Sequence, residues 1–474
     1  MTPIEPTWLS VLPALVAIGL AFATRRVIPA LFAAVVTGGI VLASQTGNTS
    51  DANVVSRFLL PALGSSSYAK ILVIYLWSLG GLIGIWEKTG GARHFATVVG
   101  GRMAKGPRSS LVFAWLVGVI FHQGGTVSTV LAGTTVKPVT DKHDVAHEEL
   151  AYVVDSTASP VATVLPFNAW PAYVAALIVG SVPVLPDLAS AVKMFFSSIM
   201  FNFYGVIAVV MTLLFSLNLL PWVGKRMSAA RERARETGAL DAPDAEPMLP
   251  PETDDDEQSD YTPSLADFFV PIGVLLSVGV LPTVLWDMNL IDEAFVGCAL
   301  SGMAVAKLRG MKLGDIMDGF ISGCRSMTIG ALILGLAVTL AKVTKDLDTA
   351  QYLVSLMQGQ VPVVILPALL TALCMGIAFA CGSSWGTYAV VFPVAMPLAW
   401  ALLPDPTYLQ ICFGAVLGGA VFGDQCSPIS DTTILSSMFT GCDLMDHVHT
   451  QIPLALSAAG LGAVLSTIAV VLLT

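Results

Sequence analysis

Apolar runs of about twenty residues, the length needed to cross the hydrocarbon of a bilayer as a helix, follow one another along this 474-residue chain. They fall near 8–24, 27–44, 68–87, 148–180 and 192–220 in the first half, and near 266–285, 290–308, 316–342, 408–440 and 451–473 in the second. The runs are continuously apolar instead of alternating with period two, so they predict lipid-facing helices and exclude a transmembrane barrel. Two further stretches, 109–139 and 362–403, are too long for one span. Small polar residues interrupt each, HQGG at 122–125 and GSSWGT at 382–387. The first could be a broken helix or a hairpin that enters and leaves on the same side, and the second is a hairpin candidate. The expected fold class is an all-α polytopic membrane protein.

Composition agrees: 55% of residues are hydrophobic and only 12% charged, against about 25% charged in ordinary soluble domains. The first residues, MTPIEPTW, lack the positive flank and cleavage site of a leader, so the first run reads as a retained helix. Seven cysteines form no CxxC pair and sit mostly in apolar runs, where cysteine behaves as a small hydrophobe. Neither a disulfide framework nor a transition-metal site is expected. The net charge of -10 owes much to one acidic stretch, 241–260, and points to no nucleic-acid partner.

Basic residues orient the spans. Arg25 and Arg26, then Lys88, Arg93, Arg102, Lys105 and Arg108, then the run from Lys225 to Arg235, should all be cytoplasmic. Only a re-entrant hairpin at 109–139 satisfies the three clusters together. Both termini then lie outside, in an inner (plasma) membrane of bacterial type. The stretch 225–264 begins basic and helix-prone and becomes proline-rich and acidic, a composition that cannot build a core. It divides the chain into a first repeat, 1–224, a cytoplasmic linker, 225–264, and a second repeat, 265–474. Five spans per half is an odd number, so the halves enter from opposite sides, as inverted repeats of secondary transporters do.

Within those repeats the chemistry is concentrated. GDQCSPISDTT at 423–433 and DSTASP at 155–160 are polar stretches inside apolar sequence, and each intramembrane Asp costs roughly 2.5–3.5 kcal/mol to insert. Prolines 160 and 428 free backbone carbonyls, which a membrane tolerates only where protein or a water-lined cavity satisfies them. Broken helices are therefore expected at 148–180 and 408–440. Dehydrated sodium takes hard oxygen ligands. Asp155, Ser156, Thr157 and Ser159, with Asp424, Ser427, Ser430, Asp431 and Thr432, supply them and form the candidate cation site. A buried carboxyl can hold either a sodium ion or a proton, the minimum an exchanger needs. The hairpin tips add candidates for a transported solute: His122, Gln123, Gly124, Thr126 and Ser128 in the first, Gly382, Ser383, Ser384 and Thr387 in the second, with Asn168 and Arg325 nearby. Asp443, Asp446, His447 and His449 read as a solvated loop at a helix start, and Trp86, Trp170 and Trp222 as interfacial aromatics. No enzyme motif fits: an intramembrane aspartyl protease would show GxGD where this chain has VFGD at 421–424.

AVFGDQCSPISDTTILSS at 420–437 and the following GCDLMDHVHTQIPLAL, GSSWGTYAVVFPVAMPLA at 382–399, and LAYVVDSTASPVATVLPFNAWPAY at 150–173 resemble the sodium/proton antiporter family typified by NhaC. The resemblance implies exchange of sodium for protons as coupling ions, with no other cofactor. It also implies an elevator-type carrier within the ion transporter superfamily, whose members are often homodimers. One departure stands out: FHQG at 121–124 replaces an FDDY-like acidic pair. Loss of that pair leaves room for the alternative reading, a sodium- or proton-coupled carrier of a small organic acid or amino acid.

Overall fold

A computed structural model describes residues 7–24, 26–92, 94–95, 98, 103–122, 125–165, 168–247, 261–279, 281–286, 290–349, 352, 355 and 362–474. All regular structure among them is helical. Among the described residues six helices are long and apolar enough to cross a membrane, or seven when a bent pair is counted as one. The chain is a multi-pass membrane protein.

The first half supplies α1 (Leu12–Thr24), α2 (Val27–Thr46), α3 (Trp77–Thr89), α4 (Pro107–Ile120), α5 (Gly125–Asp141), α6 (His147–Ser156), α7 (Ser159–Val164), α8 (Trp170–Ile178), α9 (Leu188–Ser198) and α10 (Phe203–Ser216). A linker helix, α11 (Lys225–Thr237), follows. The second half supplies α12 (Leu265–Gly279), α13 (Ile291–Leu308), α14 (Leu313–Ser326), α15 (Thr328–Asp346), α16 (Leu366–Cys381), α17 (Ser384–Leu402), α18 (Pro406–Cys426), α19 (Asp431–Thr440) and α20 (Leu444–Leu473). The stretch expected to form one hairpin at 109–139 is the helix pair α4 and α5, and that at 362–403 is α16 and α17. The single span read at 192–220 is α9 and α10, bent by 52°. Asn202 sits at that bend: its Oδ1 accepts from Gly205 N at 3.1 Å and its Nδ2 donates to Thr163 Oγ1 at 2.7 Å.

Glycines decide which helices meet. Gly80 and Gly84 of α3 lie against Gly319 and Gly323 of α14, where a Cβ on any of the four would fall within 2.8 Å of a backbone oxygen. Both pairs are spaced four apart, the small-residue stripe that lets membrane helices approach closely. α12 and α13 pack onto the same group. α18 is made the same way. Gly414 and Gly418 press on the segment 201–204, and Gly419 and Gly423 press on α16 between Thr371 and Phe379. α18 is consequently buried over 83% of its apolar window, whereas α20, facing outward over much of its length, is buried over 33%. Burial that deep fixes the last turn of α18, and with it Asp424.

The linker does not hang free where it begins. Arg231 pairs with Glu149 at 2.6 Å and Arg233 with Glu148 at 2.8 Å, binding α11 to the start of α6. Just beyond it His147 meets Asp241 at 2.8 Å and Asp141 at 3.3 Å. Burial pulls the His147 pKa down, but its hydrogen bonds with Asp141 and Asp241 win and push it up to about 9. The acidic residues 248–260 lie outside the described part.

Candidate functional site

Two helix breaks meet at the centre. α6 stops at Ser156 and α7 begins at Ser159 with proline next, so the helix cannot run through. α18 stops at Cys426 and α19 begins at Asp431, across Ser427–Ser430. Each break is touched by a neighbouring helix pair. Gly118 of α4 is so close to Thr157 that a Cβ would fall 1.9 Å from its hydroxyl oxygen. Gly382, at φ 64°, turns α16 into α17 with no room for a side chain beside the Ile429 carbonyl, 2.6 Å from where a Cβ would stand. Only glycine meets both demands there.

Asp424 is almost wholly buried, and its carboxylate is surrounded by hydroxyls. Ser159 and Ser384 each donate to Oδ2 at 2.8 Å, and Ser430 donates to Oδ1 at 2.9 Å. These three serines come from three elements: the first break, the start of α17 and the second break. Thr432 and Thr433 close the cage by donating to the Asp424 backbone carbonyl at 3.3 and 3.1 Å. A serine hydroxyl is one donor with two lone pairs. It can donate to a bare carboxylate or turn and offer oxygen to a cation beside it.

Asp155 has different company. Its Oδ2 accepts from Gln451 Nε2 at 2.9 Å and meets His447 Nε2 at 3.1 Å, both side chains coming from α20. Its Oδ1, the Gln451 Oε1 and the His447 Nδ1 are buried without a hydrogen-bond partner. Gln451 also donates to the Gln425 carbonyl. Gln425 continues the network: its Nε2 donates to Ser156 Oγ at 2.7 Å, and its Oε1 accepts from Tyr204 at 2.6 Å. The two aspartates are thus bridged through Ser156, Gln425 and Gln451, one residue along the chain from each carboxylate or bonded to it.

The remaining candidates fall elsewhere. Thr157 Oγ1 donates to Val153 and Val154 carbonyls of its own helix, and Ser427 Oγ to the Phe379 carbonyl at 2.7 Å. Asp431 accepts from Thr432 N at 3.0 Å at the exposed start of α19 and lies near enough to Asp424 to act on it electrostatically. Ser383 accepts from Gly386 N as the cap of α17, and Thr387 donates back to the Ser383 carbonyl. Asn168 ties Ala162 and Leu165 carbonyls to Trp170 N, shaping the turn between α7 and α8. His122 Nδ1 lies 2.8 Å from the Val119 carbonyl, Ser128 is buried, and Arg325 is exposed on α14. Gln123, Gly124 and the Thr126 side chain lie outside the described residues. Among those described, no three His, Cys, Asp or Glu side chains gather as a metal cluster.

Residues 161–470 match the model of the Na+/H+ antiporter family. The chain belongs to that family. A protein of Haemophilus influenzae described only as uncharacterized is 33% identical over 95% of this chain and 88% of its own. The malate-2H(+)/Na(+)-lactate antiporter of Bacillus subtilis is 28% identical over 44% of this chain and 43% of its own. In fold the chain resembles the YdaH transporter of Alcanivorax borkumensis, with a TM-score of 0.57, 15% identity and 88% of each chain covered. This member of the family is a membrane transporter.

His447 corrects the reading of 443–449 as a solvated loop: its side chain is 0% exposed against Asp155. The helix start was legible, since Asp443 caps α20 through Met445 N and Asp446 N. What hid the histidine is that α20 enters the protein at once, between α6, α18 and α19. A signal was present in the spacing: His447 and Gln451 are four apart and share one face of a helix. Trp86 and Trp170 are likewise buried instead of interfacial, while Trp222 is 54% exposed.

Proposed function

We propose that this transporter exchanges sodium for protons by alternating access, with the Asp424 cage as the cation site. The supporting observation is one buried carboxylate receiving hydroxyls from three separate elements. A bare carboxylate is costly away from water, so Asp424 is stable with a cation or with a proton. With sodium present, Ser159, Ser384 and Ser430 turn oxygen toward it. When a proton replaces it, the carboxyl becomes a donor and the hydroxyls rotate back. Occupancy by one excludes the other, and that competition couples the two gradients.

Asp155, Ser156 and Thr157 belong to the same reading as the partner break, set against the second by an inverted repeat of two five-span halves. The hairpin pairs α4–α5 and α16–α17 would re-enter the membrane, and the halves carrying them would move elevator-fashion. A plasma-membrane protein with both termini outside and with a second copy as its partner completes the proposal. Purified protein in proteoliposomes should collapse a preset pH gradient on addition of sodium or lithium from about pH 6.5 to about pH 9, and Asp424→Asn should not. A wild-type protein that leaves the gradient standing in both salts would remove the reading.

A further inference from the structure

A cavity of about 490 Å³ lies apart from the aspartates, between α15, the end of α8 and the middle of α17. Pockets of roughly 300–1,000 Å³ hold small organic ligands; a dehydrated sodium ion needs no such room. Its lining is also the wrong sign for a cation entrance. Lys342 and Lys345, both exposed, stand on one face of α15 and Asp348 lies just beyond its end, so among the described residues the walls carry a net positive charge. Lys345 Nζ donates to the Gly180 carbonyl at 2.9 Å and keeps further protons to give. Lys342 makes no hydrogen bond or ion pair among the described residues.

The opposite walls supply neutral polar groups. The Ser181 hydroxyl is buried without a partner. Pro393 and Pro397, both inside α17 and both lining the cavity, have no N–H for the carbonyls of Ala389 and Pro393. At membrane depth such carbonyls persist where they face protein or a cavity. Ammonium groups on one side and the unpartnered Ser181 hydroxyl on the other fit a molecule carrying a carboxylate and, two or three atoms away, a hydroxyl or amine. Along α17 the order is Ser384, Trp385, Tyr388, Pro393, and along α8 it is Trp170, Tyr173, Ala176. Tyr173 donates to the Trp385 carbonyl at 2.7 Å, and the Trp170, Tyr173, Trp385 and Tyr388 rings pack together. An aromatic layer thus separates the cavity from the hydroxyl cage, with Pro393 nine positions, about 13 Å of helix, beyond Ser384.

We propose that this cavity is a binding site for a small hydroxy or amino monocarboxylate, with Lys342 and Lys345 taking the carboxylate and Ser181 taking the neighbouring group. It goes beyond the exchange reading and is measured by binding, so the two can fail separately. Full-length protein in detergent is titrated with L-lactate at constant sodium and ionic strength, and with propane-1,2-diol, which keeps the hydroxyl and lacks the carboxylate. A saturable rise in unfolding temperature with lactate alone is expected. The Lys342→Gln/Lys345→Gln double variant should weaken the apparent affinity at least about tenfold. Should that variant not fold, Ser181→Cys in the native lysine background decides. A sulfonatoethyl methanethiosulfonate should modify it faster than the trimethylammonioethyl reagent, and lactate should slow the reaction. No shift up to about 50 mM lactate, a shift indifferent to the lysines, or faster reaction with the cationic reagent overturns the proposal. Gradient collapse by sodium, read in separate vesicles, bears only on exchange.

Discussion

Asp424 and Asp155 are both buried carboxylates in the last turn of a broken helix, yet the protein surrounds them with opposite kinds of group. Asp424 has three serine hydroxyls, which can reverse the sense of their hydrogen bonds at the cost of a rotation. Asp155 has an imidazole and an amide nitrogen on one oxygen and nothing on the other. An amide N–H only donates. In the proposed exchange the first environment would adapt to a visiting cation; the second ties α20 to α6 through the carboxylate. The difference comes from α20, which carries His447 and Gln451 to Asp155.

The largest effect should separate the two directly. Asp424→Asn is expected to lower sodium-driven proton flux in proteoliposomes by about 100-fold or more, since it removes the charge the cation needs, and Asp155→Asn by about tenfold. The reverse ranking would overturn the assignment of the cage to Asp424. Next, Ser384→Ala removes one ligand from a third element and should weaken sodium binding, followed by calorimetry, about tenfold, with Ser384→Thr restoring most of it. If Ser384→Ala binds sodium as the native protein does, α17 is not part of the site.

His447→Ala tests the other environment. It leaves a buried carboxylate with one donor fewer, at roughly 1–3 kcal/mol, so the unfolding temperature should fall while sodium affinity changes less than in Ser384→Ala. Equal loss of affinity would mean that the Asp155 cluster binds the ion as well. The smallest effect belongs to the linker. The His147 pKa stands near 9 in the folded protein against 6.5 for the free side chain. Its stabilisation is therefore complete below about pH 6.5 and is lost as pH rises through about 9. Trypsin cleavage after Arg231, Arg233 and Arg235 should quicken across that window, and His147→Gln should flatten the change. A pH-independent rate in the native protein would show that the arginine pairs alone hold α11.

How much of the site was legible follows from what each residue does alone. Asp155, Asp424 and the prolines were readable because a charge or a missing N–H inside an apolar run is expensive wherever the chain goes. Ser159, Ser384 and Ser430 were readable as candidates, but their convergence on one carboxylate joins positions 159, 384 and 430, and no local pattern encodes that. Thr157, Ser427 and Thr387 have the same chemistry and spend it on nearby backbone. The choice between a ligand and a backbone bond rests on which way one rotamer points in the packed protein. Arg325 was a candidate in sequence, and it lies exposed on α14.

The amino-acid sequence by itself determined that the chain crosses a membrane repeatedly, that its helices break at the two Asp-Ser-Pro stretches, and that it resembles sodium/proton antiporters. Those properties are local: apolar length, proline and short motifs act wherever they occur. Only the tertiary structure decided that Asp424 draws its hydroxyls from three elements, that His447 and Gln451 close on Asp155, and that two lysines line a cavity beyond an aromatic layer. Each of those is a meeting of segments far apart in the chain, set by glycine stripes that allow α18 and α3 to approach their neighbours, and burial gives such meetings their chemistry.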